Sequence, residues 1–258
     1  MKSNARPISR DELRHAATNL LLASGIKPER ALRLADAYLW FDAAGLAGFG
    51  IAVLPDLLER IARGEIDPKA EPKVGPERAA LAVLDGRGGP PLLTLARAAE
   101  LASEKAREYG VGLVRVKGIG PVGSAASVVF GIAIGPAIGA AVGPGGAWSV
   151  ALPTSDGLPL IADSALGSDP SLLSQFPPWS PMIGPGEWIV QAISVPAMES
   201  LSSFHERVGA MAKAAPATIL LPSRLEALRR AARDRGATVS KATQIALKSW
   251  AERLGVSP

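Results

Sequence analysis

Six consecutive residues, Gly118-Ile119-Gly120-Pro121-Val122-Gly123, carry the glycine spacing of a dinucleotide-binding turn, after a β-branched run and before the small residues Ser124, Ala125 and Ala126. In such a turn the glycines permit a tight bend and a close backbone approach to pyrophosphate, and the following helix offers its N-terminus to the phosphates. Two features argue against that chemistry. The motif lies deep in the chain, and the next acid after it is Asp156, too far on to hold a ribose hydroxyl. Lys117, directly before the glycines, is the charged group best placed to attract a carboxylate or phosphate, its plainer role being a solvated lysine. The two histidines, His15 and His205, lie in separate helical stretches and the chain has no cysteine, so no metal cluster or cysteine nucleophile can be drawn from the spacing.

The elements around this loop follow from periodicity. Ser9 and Glu12 spell a capping box, after which Leu13, Ala16, Ala17, Leu20 and Leu21 form one apolar stripe ending at Gly25. A second helix starts at Pro28 and a third spans about 51–63, while 67–72 with two prolines is irregular. Strands are expected at 79–84, 111–116, 148–152, 158–162, 188–195 and 218–221, and helices at 92–109, 196–214, 223–235 and 240–254. The prolines at 170, 177, 178, 181 and 185 mark 169–185 as a long loop. The expected class is α/β, a mixed sheet with flanking helices and an N-terminal helical region. The expected divisions are 1–75 (helical), 76–222 (sheet-containing body) and 223–258 (C-terminal helices).

Composition narrows the function classes. With 258 residues, 48% hydrophobic and 20% charged, the chain can bury a sizeable core. Absence of cysteine and of an apolar run behind the N-terminal charges fits a cytoplasmic protein without a secretory signal. Between 118 and 155 there is no charge, and Gly131, Gly135, Gly139 and Gly143 fall four apart, a spacing that on one helix would suit close membrane packing. Nine glycines and four prolines in that stretch favour instead a buried helix and a buried strand joined by tight turns. The formal net charge of +4 is concentrated from Arg224 to Arg253; helical spacing of the apolar residues there favours solvated helix faces over a nucleic-acid surface.

Several segments in order are similar to one family. Phe41-Asp42-Ala43-Ala44-Gly45-Leu46-Ala47-Gly48-Phe49-Gly50, then Leu54-Pro55 and Gly64-Glu65-Ile66-Asp67-Pro68, resemble the N-terminal signature of the malate/L-lactate dehydrogenase family, Ala-Asp-x-Arg-Gly-x-x-Ser-His-Gly and Gly-x-Ile-x-Pro. Leu84-Asp85-Gly86, Gly110-Val111-Gly112, Leu220-Leu221-Pro222 and Ala251-Glu252-Arg253-Leu254-Gly255 continue the likeness to the C-terminus. The resemblance implies a fold distinct from the Rossmann domain, dimers with sites where two chains meet, and reduction of 2-oxo acids or cyclic imino acids with NAD(P).

The same resemblance puts the family's activity in question. Its proton-donating histidine lies in the loop after the strand at 111–116, where this chain has Pro121, and its carboxylate-orienting arginine falls on Ala44. Gly48 and Phe49 replace a Ser-His pair, and Gly145-Gly146-Ala147 matches a Gly-Thr-Asn-Pro turn without its polar side chains. Asp163 matches the acid of an Asp-x-Ala-Thr-Ser segment, and a glycine-rich region before Trp188 is expected to be missing. Catalytic residues are therefore unassigned, and the ligand-binding candidates are Lys117, Gly118, Gly120, Gly123 and Asp163. Two functions compete: a non-catalytic or repurposed member binding a small acid or a related chain, and an NAD(P)-dependent oxidoreductase with a different proton donor. No metal, membrane or nucleic-acid partner is expected, and substrate and cofactor preference are left open.

Overall fold

The computed structural model describes residues 8–169, 184, 186–236 and 239–256. The chain divides into two compact units, Met1–Ala70 with Gly88–Leu93 and Leu225–Pro258, and Glu71–Arg87 with Thr94–Arg224.

The first unit is helical. Helix α1 (Arg10–Ala23) opens with the expected capping box: the backbone N–H of Glu12 donates to Ser9 Oγ at 3.2 Å, and the Ser9 N–H to Glu12 Oε2 at 2.9 Å. Its stripe of Leu13, Ala17, Leu20 and Leu21 is buried against α2 (Pro28–Ala43). Two single 3₁₀ turns, Ala47–Phe49 and Ile51–Val53, lead into α3 (Leu54–Ala62), so the third helix starts later than expected, with Pro55 in its first turn.

The second unit is built on a seven-stranded sheet. Its strands are β1 (Lys73–Arg78), β2 (Leu81–Asp85), β3 (Val111–Lys117), β4 (Ala137–Val142), β5 (Trp148–Leu152), β6 (Leu160–Asp163) and β7 (Trp188–Ser194), in spatial order β1-β2-β3-β7-β4-β5-β6. Only β2 and β3 are parallel, so this is the mixed, helix-flanked sheet that the sequence implies and not a doubly wound parallel one. Helices α4 (Pro91–Tyr109) and α5 (Ala126–Ala133) lie over one face. There Gly112, Ala192 and Gly139 stand in register across β3, β7 and β4. A Cβ on Gly112 would lie 2.0 Å from the Ala102 carbonyl oxygen of α4, and one on Gly139 would lie 2.8 Å from that of Val129 of α5. The small residues are what let both helices settle on the sheet. On the opposite face, α6 (Leu201–Lys213) packs Phe204 and Val208 against Ala140, Trp148, Val150 and Ala162.

The glycines at 131, 135, 139 and 143 do not share a helix, in keeping with a buried helix and a buried strand joined by turns: Gly131 is in α5, Gly135 in the turn after it, Gly139 in β4 and Gly143 beyond β4. Among the described residues no helix is long and apolar enough to cross a membrane. Two expectations are corrected. Residues 218–221 form only an isolated bridge, Ile161 to Leu220, because Pro222 at once opens α7 (Pro222–Arg235). The helix expected from 196 is a 3₁₀ turn, Val195–Ala197, and α6 starts after Ser200, whose Oγ accepts from the Ser203 N–H at 3.2 Å. The chain ends in α8 (Lys241–Leu254), which packs on α1 and α3 within the first unit. The proline-rich loop expected at 169–185 falls almost wholly outside the described residues.

Candidate binding site

Parallel pairing of β2 and β3 brings their C-terminal ends side by side, which is where open sheets present ligand-binding loops. Asp85 pairs with Lys117 across the ladder, and Lys117 Nζ lies 3.7 Å from Asp85 Oδ2, both side chains being half exposed. The other carboxylate oxygen accepts the Arg87 N–H at 2.9 Å, and the Gly86 N–H donates to the Lys117 carbonyl at 2.8 Å. Gly118 has φ +66, and a Cβ there would lie 2.5 Å from Asp85 Oδ1. Both its conformation and its space therefore demand glycine. A cation, a carboxylate and a run of backbone amides thus share the mouth of two strands. Lys117 is held loosely by Asp85, and an anion entering there would compete with that carboxylate for it.

From Ile119 to Ala125 the chain has no regular structure, and α5 begins only at Ala126, with no side-chain cap at Ala125. The glycine string therefore does not run straight from a tight turn into a helix, as a dinucleotide fingerprint does. Pro121 and Gly123 are exposed and Gly120 is half buried.

The far end of the loop is fastened by a network that spacing alone did not reveal. Ser124 Oγ donates to Asp163 Oδ2 at 2.9 Å, and Ser149 Oγ, on β5, donates to the same oxygen at 2.5 Å. The two hydroxyls also accept the N–H groups of Ala126 and Ala125, both at 3.2 Å, and Asp163 Oδ1 accepts the Ala165 N–H at 2.7 Å. All three side chains are buried, Asp163 completely. Burial pushes the Asp163 carboxyl up, and the hydrogen bonds from Ser149, Ala165 and Ser124 oppose that shift. Of the residues proposed from the sequence, Lys117 ends β3, Gly118, Gly120 and Gly123 lie on the loop that follows it, and Asp163 holds the far end of that loop through Ser124 and Ser149. Nothing in the sequence separates Ser124 and Ser149 from Ser127, Thr154 and Ser155, the other hydroxyls of the uncharged 118–155 stretch.

Ala44 belongs to the other unit. It caps α2, with its N–H on the Trp40 carbonyl at 2.9 Å and its side chain buried. Beside it, Asp42 Oδ2 accepts the Ile51 N–H at 3.0 Å and closes the intervening turn. Burial raises this carboxyl to about 6, and the Ile51 hydrogen bond works against the rise. A Cβ on Gly50 would lie 2.3 Å from Asp42 Oδ1, so the turn fits around the carboxylate only with glycine there. Among the described residues no group of three His, Asp or Glu side chains is placed to hold a metal ion.

Known proteins match the chain in both sequence and fold. L-sulfolactate dehydrogenase of Methanocaldococcus jannaschii is 33% identical over 107 residues, 42% of this chain and 31% of that protein. Malate dehydrogenase of Pyrococcus abyssi is 32% identical over 110 residues, 43% of this chain and 30% of that protein. The matched stretch thus spans about a third of the length of each relative. The solved malate dehydrogenase of Entamoeba histolytica superposes with a TM-score of 0.80 over 99% of both chains at 18% identity. The M. jannaschii sulfolactate dehydrogenase structure superposes with a TM-score of 0.79, over 97% of this chain and 98% of that one, at 20% identity. At such identities the superpositions speak for the fold alone. The profile of the malate/L-lactate dehydrogenase family matches residues 8–143, more than half of the sequence, and the chain belongs to that family.

Proposed function

We propose that this chain keeps the family fold to bind a small carboxylic acid, with Lys117 and the backbone N–H groups of residues 118–120, 122 and 123 at the strand ends, and that it does not carry out the family's standard reduction. The observation that carries the proposal is the loop itself: no residue from Gly118 to Gly123 can donate or accept a catalytic proton, and Pro121 is exposed where the resemblance puts the donor. The side chain of Ala44, where the resemblance puts the orienting arginine, is a buried methyl. A carboxylate needs a cation or several donors to replace its water, and Lys117, with the exposed Arg87 after β2, supplies positive charge at these strand ends.

The side chains present do not fit a nicotinamide cofactor at the positions the resemblance suggests. Asp163 is committed to Ser124, Ser149 and Ala165, and Gly145 and Gly146 bring no polar side chain to the turn before β5. We further propose that the protein works in the cytoplasm, as a homodimer or with a related chain.

The test is steady-state oxidation of NADH and NADPH at high protein concentration with pyruvate, oxaloacetate and a cyclic imino acid. A positioned general acid contributes about 10² to 10⁴ in rate, so the expected outcome is no turnover above background. Pro121→His alone should not recover it, because the orienting cation is still absent; Pro121→His with Ala44→Arg is the informative variant. Saturable turnover by the unmodified protein would replace this proposal with that of an NAD(P)-dependent oxidoreductase using another proton source.

A further inference from the structure

Three strand ends converge at the end of the sheet away from Lys117, where β3 and β4 begin and β7 stops. The Ser194 N–H donates to the Gly110 carbonyl at 2.9 Å, and the Val195 N–H to the Pro136 carbonyl at 3.0 Å. A Cβ on Gly110 would lie 3.2 Å from that of Ala197. These ties bring Tyr109, Ile134, Pro136, Ala197 and Met198 to one end of the second unit, and all five are exposed, Met198 at 77%, Ile134 at 56% and Tyr109 at 47%. Apolar side chains scattered singly over a surface need no explanation, but a group of them does. We propose that this patch is the centre of a two-fold interface with a second copy of the chain.

The charges around the patch decide the partner. Lys105 Nζ lies 2.9 Å from Glu77 Oε2, Arg207 pairs with Glu199, and Arg107 Nε donates to the Ser103 carbonyl at 3.3 Å. Glu108, and after it Glu77, raise the Tyr109 pKa, which puts acids beside that ring. The rim thus carries both signs. A nucleic acid or an anionic membrane would meet those carboxylates unfavourably. An identical copy, turned about a two-fold axis, sets apolar atoms against apolar atoms and lets each rim acid face a rim base. An apolar centre holding an aromatic ring and a methionine, with a charged rim, is the anatomy of such a contact. Strand ends and the 3₁₀ turn Val195–Ala197 already fix the backbone here, so docking orders little new chain. The inference rests on the proposed homodimer and names its surface.

The experiment compares dimer dissociation by sedimentation for the full chain and for Ile134→Glu with Met198→Glu. Both side chains are exposed, so the fold should survive the change. The double variant should dissociate at a concentration about tenfold higher or more, since it loses the burial of two apolar side chains and sets like charges against each other across the axis. Ile245→Glu, at a site 61% exposed on α8 of the first unit, should dissociate as the unmodified chain does. A second readout uses the absence of cysteine from the sequence. Met198→Cys should be joined into a covalent dimer by a short bismaleimide, and Ile245→Cys should not. A dimer that the double variant leaves unweakened, and that crosslinks no better through position 198 than through 245, would overturn this surface and leave the homodimer standing. A monomer at every concentration would remove the homodimer and the surface with it.

Discussion

At Asp42, desolvation and a single strong donor pull in opposite directions, and desolvation prevails: the carboxyl is raised from 3.8 to about 6. Below about pH 4 the folded and unfolded chains both hold the proton. Between about 4 and 6 the folded chain alone holds it, so stability falls as the pH rises through that window and is level above it. Asp42→Asn, which can still accept the Ile51 N–H, should lack this slope and exceed the wild type at pH 7 by up to about 3 kcal/mol. Thermal melts of both proteins from pH 4 to 8 measure it; parallel curves would remove the carboxyl from the account. Asp163 is shifted in the same direction, so the difference between the proteins is the relevant quantity. At this scale the sequence was only partly legible. Lys117 and the glycines after it could be singled out because a local motif marks them. Ser124 and Ser149 could not, since they meet Asp163 from 39 and 14 positions away and hydroxyls obey no periodicity.

Elements were legible where a local chemical signal fixes them. Ser9 and Glu12 mark the start of α1, and Pro222 marks that of α7. Strand β1 gave no such signal: it is an almost fully exposed edge with Pro76 inside it and a register shift between Val74 and Glu77, so it neither alternates nor avoids proline. The evenly spaced glycines show how one sequence pattern hides different environments. Gly131 is exposed in α5, with nothing within 4 Å of the place a methyl would take, whereas Gly139 on β4 lies against the backbone of that same helix. Gly131→Ala should therefore stabilise the protein by about 0.5–1 kcal/mol through helix propensity alone. Gly139→Ala should destabilise it by about 2 kcal/mol or more through overpacking. Denaturant midpoints of the two variants decide the matter, and shifts of the same sign would contradict this packing of α5 on β4.

Over the whole molecule, the concentration of basic residues between Arg224 and Arg253 is divided among local partners. Arg253 lies 3.9 Å over the ring of Trp250 and 3.5 Å from Glu59, and Arg224 donates to the Ala217 carbonyl, contacts that make a continuous phosphate-tracking stripe the weaker account. Exposed apolar side chains remain, among them Leu81 at 52% and Ile134 at 56%. A dimer is therefore the expected state in light scattering at micromolar concentration; a monomer throughout, with no related chain recovered alongside it, would refute the proposed assembly. The strand order carries one more consequence. Strand β7 comes last in sequence yet lies at the centre of the sheet, hydrogen-bonded to β3 on one side and β4 on the other. During vectorial synthesis two half-sheets leave the ribosome with raw inner edges, and neither can close before residues 188–194 have emerged. The nascent chain must then keep those edges apart, or shielded, until its own keystone is made.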